Sequence, residues 1–96
     1  MKARFTRAAE EDLAAIFRYL FERRPSTAED FLDAIEATVR RLEEHPRSAR
    51  ETEWQNIRMA PVGHFQCLLF YELTADEIRV WRVLHGARAR PWEERE

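Results

Sequence analysis

Two apolar stripes of helical spacing, parted by only a few residues around Pro25, constrain this chain more than any other feature. Leu13, Ile16, Phe17 and Leu20 recur at i, i+3, i+4 and i+7, the period of one buried helix face. Ala28, Phe31, Leu32, Ile35, Val39 and Leu42 repeat the pattern after the break. Thr6 is placed to cap the first helix, with Glu10, Glu11 and Asp12 near its positive end, and the acids farther along the helices form a solvated face. Arg23, Arg24 and Pro25 stop it. Ser26-Thr-Ala-Glu29 has the form of a capping box with Ser26 as N-cap, and Pro46 ends the second helix. Helices joined so closely run antiparallel as a hairpin. Each offers one apolar face, so the pair needs a broad apolar surface to cover.

The second half of the chain supplies that surface. Residues 47–55 are polar and suit a loop, 56–60 suit a short strand, and Pro61-Val-Gly63 suits a turn. The span 64–73 is apolar on both faces, as in a central strand. Thr74-Ala-Asp76 turns the chain, and 77–84 returns as a further strand. Residues 2–5 alternate and suit a first strand whose place in the sheet is open. The fold class is therefore α+β, with order β-α-α-β-β-β. An antiparallel meander carries the helical hairpin on one face, in a single domain over residues 1–96.

Composition removes several function classes. No run approaches the ~20 apolar residues of a membrane span, and the amino terminus lacks a signal-peptide core. A lone Cys67 forms no internal disulfide, which fits a reducing cytoplasm, and it reads as a core residue. His45, His64, Cys67 and His85 do not have a zinc spacing, so no metal or other cofactor is expected. The net charge of −2 hides an asymmetry. Residues 7–45 hold six arginines against ten carboxylates, and residues 46–90 hold seven against five. That is not the basic stripe of a general nucleic-acid binder.

The chemistry-bearing stretch is 78–90, an apolar strand that carries arginines and leads into Gly86, Arg88 and Arg90. Arg82 stands between Trp81 and Val83. A guanidinium in such surroundings is either paired with an acid, such as Glu72 across the sheet, or aimed at an anionic or acidic partner. Arg58 poses the same choice. His85 suits the end of a strand, and His45 and His64 suit turns. Phe65, Phe70 and Trp81 read as core or sheet-face aromatics. Trp54 and Trp92 lie in polar surroundings and suit either the edge of the core or a partner contact.

These residues resemble the ParE/RelE toxin superfamily. The resemblance rests on Asp12-Leu-Ala-Ala-Ile-Phe-Arg-Tyr19, Ala28 with Phe31, Pro46, Ile57-Arg58, Phe70-Tyr71 and Val80-Trp-Arg-Val-Leu-His-Gly-Ala-Arg88. It spans about residues 3–90 and implies the toxin of a type II toxin–antitoxin pair, silenced by a cognate ParD-like antitoxin. RelE-like members cleave mRNA on the ribosome; ParE-like members act on DNA gyrase and block replication.

RNA cleavage through the 2′-hydroxyl needs a base, an acid, and cations for the phosphorane. Arg58 and Arg82 are candidate cations, and His85, Tyr71, Glu51 and Glu53 are candidate proton carriers. The match to RelE-like sites fails before the meander, where Glu51-Thr-Glu-Trp-Gln55 is acidic, and after residue 71, where no Tyr occurs. Arg82 and His85 are also an odd number apart, so a regular strand points them to opposite faces. The ParE-like branch is the better match. It implies a binding module for DNA gyrase, with Arg82, Arg88, Arg90 and Trp92 as target-contact candidates. Its antitoxin would lay an amphipathic segment between hairpin and sheet. The alternatives are a ribosome-dependent mRNA endoribonuclease using Arg58, Arg82 and His85, and a degenerate, inactive antitoxin-binding member.

Overall fold

Thr6 ends one element and begins the next. In the computed structural model, which describes residues 1–86, strand β1 covers Lys2–Phe5 and helix α1 covers Arg7–Arg23. Thr6 between them keeps an extended backbone while its side chain accepts the Ala9 N–H at 3.1 Å. That is the expected N-cap. Along α1, Ala9 and Ile16 are buried and Leu13 and Leu20 pack against the core. Phe17 is only half-buried and stacks on Phe21.

Helix α2 covers Pro25–Glu44. The expected capping box does not form. Pro25 occupies the first helical turn, where its missing N–H costs nothing and its fixed φ suits the helix, so Arg24 becomes the N-cap without a side-chain bond. The buried stripe is Ala28, Phe31, Ile35, Thr38 and Leu42. Thr38 enters it because its hydroxyl donates to Ala34 O at 2.7 Å and leaves a methyl to pack. Leu32, expected inside, stays 43% exposed. The helix stops at Glu44 with His45 as C-cap, just before Pro46.

The sheet has five strands in the order β1-β5-β4-β3-β2. Strands β3 (Ile57–Pro61), β4 (Cys67–Leu73) and β5 (Glu77–His85) form the expected antiparallel meander. Within the stretch read as a loop, Arg50–Glu51 adds a two-residue edge strand, β2, against β3. The chain between Gly63 and Gln66 turns instead of extending β4, with Gly63 at φ +54. β1 lies parallel to β5, from Lys2↔Glu77 to Phe5↔Val80, which settles the place left open by the sequence.

The hairpin covers one face of this sheet. Ile78, Val80, Val83, Cys67, Leu69, Tyr71 and Ala60 meet Phe31, Ile35 and Leu42 there. Met59, Phe70 and Leu84 form a second buried cluster. β4 thus buries residues of both faces, as its continuous apolar run required. Among the described residues, no helix is long and apolar enough to cross a membrane.

Candidate functional site

The register of β5 sets the site. Phe70 pairs with Arg82 but Tyr71 pairs with Val80, so Trp81 is an extra residue, a β-bulge. The bulge lies just where β1 runs out. Beyond it, Arg82 reaches Asp12 on the second turn of α1, with Nε donating to Oδ2 at 2.7 Å and Nη2 to Oδ1 at 2.9 Å. The same carboxylate accepts the Val83 N–H at 2.9 Å. Asp12 is only 14% exposed and Arg82 33%, so the fork is largely shielded from water. Its hydrogen bonds to Asp12 push the Arg82 pKa above its ordinary value, against a smaller opposing effect of burial.

Arg82 is therefore paired, as one reading of the sequence required, but not with Glu72. Glu72 instead faces Arg79 across the strands at 3.5 Å, and Glu77 binds both Arg79 and Arg4. Those bonds, led by Arg4, pull the Glu77 carboxyl below its usual range. Asp12, read as a helix-dipole residue, is the largely shielded partner of β5. A signal for this was present. Asp12 stands one turn before the inward Ile16, which places a carboxylate on the buried stripe where only a paired one is tolerated.

His85 sits against Tyr19, with ring centroids 5.8 Å apart. Together with Asp12, Ile16 and Val83 these two rings line a cleft of about 230 Å³. Arg82 is not among its lining residues, and the bulge precedes Arg82, so it does not bring Arg82 and His85 to one face.

Arg58 lies on β3, two strands from β5, roughly 10 Å across the sheet. Its Nη1 donates to Arg47 O at 3.2 Å and Ala49 O at 2.7 Å, and its Nη2 to Glu51 at 3.2 Å. Tyr71, directly opposite Arg58, donates its hydroxyl to Pro46 O at 2.6 Å. Guanidinium and phenol together hold down the chain that leaves α2. Burial raises the Tyr71 pKa, with Arg58 pulling the other way. Beside them a polar cleft of about 400 Å³ is lined by Arg47, Glu51, Trp54, Gln55, Asn56 and Arg58. Of the proton carriers considered for RNA cleavage, Tyr71 and Glu51 flank Arg58 but are engaged, and His85 is remote from them. Tyr71 is committed to Pro46, Glu51 to Arg58, and His85 lies two strands away from Arg58.

The model of the family described as "ParE toxin of type II toxin-antitoxin system, parDE" matches residues 3–90. The chain belongs to this ParE toxin family. The fold agrees with a solved structure titled "Chromosomal ParDE TA system from P. aeruginosa", with a TM-score of 0.80. That match has 22% identity and covers 88% of this chain and 95% of the other. No curated protein matches.

Of the target-contact candidates in this ParE toxin, only Arg82 falls within the described residues, and its fork is occupied. Arg88, Arg90 and Trp92 lie outside them. Trp81 is a partly exposed sheet-face residue, edge to face with Trp54 at 5.0 Å between centroids, and Trp54 also packs near Phe70. His64 stacks on Phe65. Cys67 is buried, and burial pushes its thiol up to about 12. Among the described residues, no group of three or more His, Cys, Asp or Glu is arranged to hold a metal ion. The sequence reading missed one surface. Leu13, Phe17, Phe21 and Leu32 line a shared apolar hollow on the hairpin, with Phe21 47% exposed.

Proposed function

We propose that this ParE toxin arrests replication by binding DNA gyrase in the cytoplasm and holding it on cleaved DNA, with no bond-making by the toxin. The observation that carries this reading is how the candidate nuclease groups are used. Arg82 is taken by Asp12, Arg58 by loop carbonyls and Glu51, and the Tyr71 hydroxyl by Pro46 O. RNA cleavage needs a free cation and two proton carriers around one phosphate. What remains is a surface for recognition. The neutralising partner is a ParD-like antitoxin, whose amphipathic segment has an apolar seat on the hairpin at Phe17, Phe21 and Leu32.

Purified toxin added to gyrase and supercoiled plasmid is expected to trap linear, protein-linked DNA and to stop supercoiling. Unimpeded supercoiling at large toxin excess removes the proposal. New mRNA cuts in a translating extract, abolished by Arg82→Ala, would replace it with the endoribonuclease reading. Induction without growth arrest would mark an inactive antitoxin-binding member.

A further inference from the structure

Strand β5 changes neighbours at Val80. Up to that residue β1 runs beside it, and Phe5↔Val80 is their last register pair. From Trp81 onward the same edge is served by the start of α1. Thr6 donates its backbone N–H to Val80 O and its hydroxyl to Trp81 O, both at 3.0 Å. Two residues on, Asp12 takes the Val83 N–H that no strand remains to pair. On the opposite edge, pairing with β4 continues to Cys67↔His85, and the Gly86 N–H donates to Gln66 O at 2.8 Å. Beyond Trp81, the hydrogen bonds that hold β5 thus come from a strand on one side and from the Asp12 carboxylate on the other.

We infer that Asp12 is a positioning residue for target binding, because its carboxylate replaces the missing strand neighbour and fixes the carboxyl end of β5 against α1. Arg82 acts through Asp12. Its two parallel hydrogen bonds orient the carboxylate, whose Oδ2 also accepts the Val83 N–H. In the sequence, Arg88 and Arg90 stand two and four residues after Gly86. The inference rests on the proposed gyrase binding and on the sequence expectation that Arg88 and Arg90 contact the target.

The test compares Asp12→Asn, Arg82→Gln and the double variant with the unaltered toxin. It reads gyrase inhibition, growth arrest on induction, and amide exchange. Asp12→Asn is expected to raise the toxin concentration for half-inhibition about tenfold and to speed Val83 amide exchange by a similar factor. The Met59 and Ala60 amides of β3 should keep their protection. Arg82→Gln should match it, and the double variant should be no worse than either single one, since all three break one unit. Ile35→Val, a core change away from the clamp, should lower stability and leave potency at equal folded concentration unchanged.

Full potency with fast Val83 exchange overturns the inference. So does lost potency with Val83 still protected, or an equal loss in Ile35→Val. If the unaltered toxin leaves gyrase untouched, the gyrase proposal fails alone. Growth arrest then decides, and full arrest by Asp12→Asn overturns the positioning role. Should Asp12→Asn not fold, Arg82→Lys keeps the charge without the fork and should give the same pattern at smaller amplitude.

Discussion

At one side of the sheet Arg58 gives its protons to backbone carbonyls of the loop after α2 and to the exposed carboxylate of Glu51; at the other, Arg82 gives its protons to the shielded carboxylate of Asp12. Both guanidiniums stand on strands between apolar neighbours, and sequence offers the same two readings for each. Their acceptors separate them. The carbonyls of Arg47 and Ala49 are neutral, and Glu51 is 78% exposed, so water solvates that carboxylate when the guanidinium is lost. Asp12 is charged, 14% exposed and wedged between a helix and a strand, so its cation has no ready substitute. Losing Arg58 loosens a loop, whereas losing Arg82 strands a charge.

That asymmetry predicts an order of effects. Arg82→Ala should cost about 2–3 kcal/mol in urea unfolding, the range for leaving a shielded ionic partner uncompensated, with partial exposure of the guanidinium keeping it from the upper extreme. Asp12→Ala on top of it should add little, because both changes remove the same fork. An additive double variant would mean the two residues act separately. Arg58→Ala should cost less, about 1–2 kcal/mol. Lysine discriminates further. Arg58→Lys should recover about half of that loss, since one ammonium still reaches a carbonyl, while Arg82→Lys should recover less because Asp12 is gripped by a planar fork. Equal recovery at both positions would erase the distinction.

Much of this architecture is legible in the sequence, and the exceptions share a cause. Thr6 and Pro46 mark helix ends by local chemistry, and the structure keeps both. The apolar run before Leu73 announces a central strand for the same reason, since its neighbours on both faces must be apolar. Ser26 fails as a cap because Pro25 competes for the first turn with a stronger backbone constraint. Leu32 and Thr38 exchange places because the hairpin's crossing over the sheet, a tertiary matter, selects which of two adjacent stripes is inside. The site is less legible than the fold. Arg82 and Asp12 are 70 residues apart, and the bulge at Trp81 that brings the guanidinium to α1 has no Gly or Pro to signal it. The inward position of Asp12 was the available clue, masked by the default role of acids near a helix start.

A further effect lies on β4, between the two arginines, and is absent at neutral pH. Burial raises the Cys67 pKa from 9.0 to about 12, and the nearby Asp12 charge adds to the shift. Between those values the unfolded chain has lost the thiol proton and the folded chain still holds it. The unfolded state then binds fewer protons, so stability falls as pH rises through that window, at no more than about 1.4 kcal/mol per pH unit for one group. Tyr71 adds a contribution of the same sign, since its pKa too is raised from 10.0. Urea midpoints measured from pH 8 upward should therefore fall above pH 9, and Cys67→Ala should make that slope shallower. Iodoacetamide should label Cys67 at pH 8 only as fast as the protein unfolds; labelling of the native protein at the denatured rate would refute the burial argument. The arginines enter with opposite partners. Arg82→Ala exposes Cys67 to an uncompensated Asp12 charge and should carry the thiol's share of the decline to higher pH. Arg58→Ala leaves Cys67 alone but removes the cation that favours Tyr71 ionisation, and so should steepen only the phenol's share, seen in the tyrosinate absorbance of the folded protein shifting to higher pH.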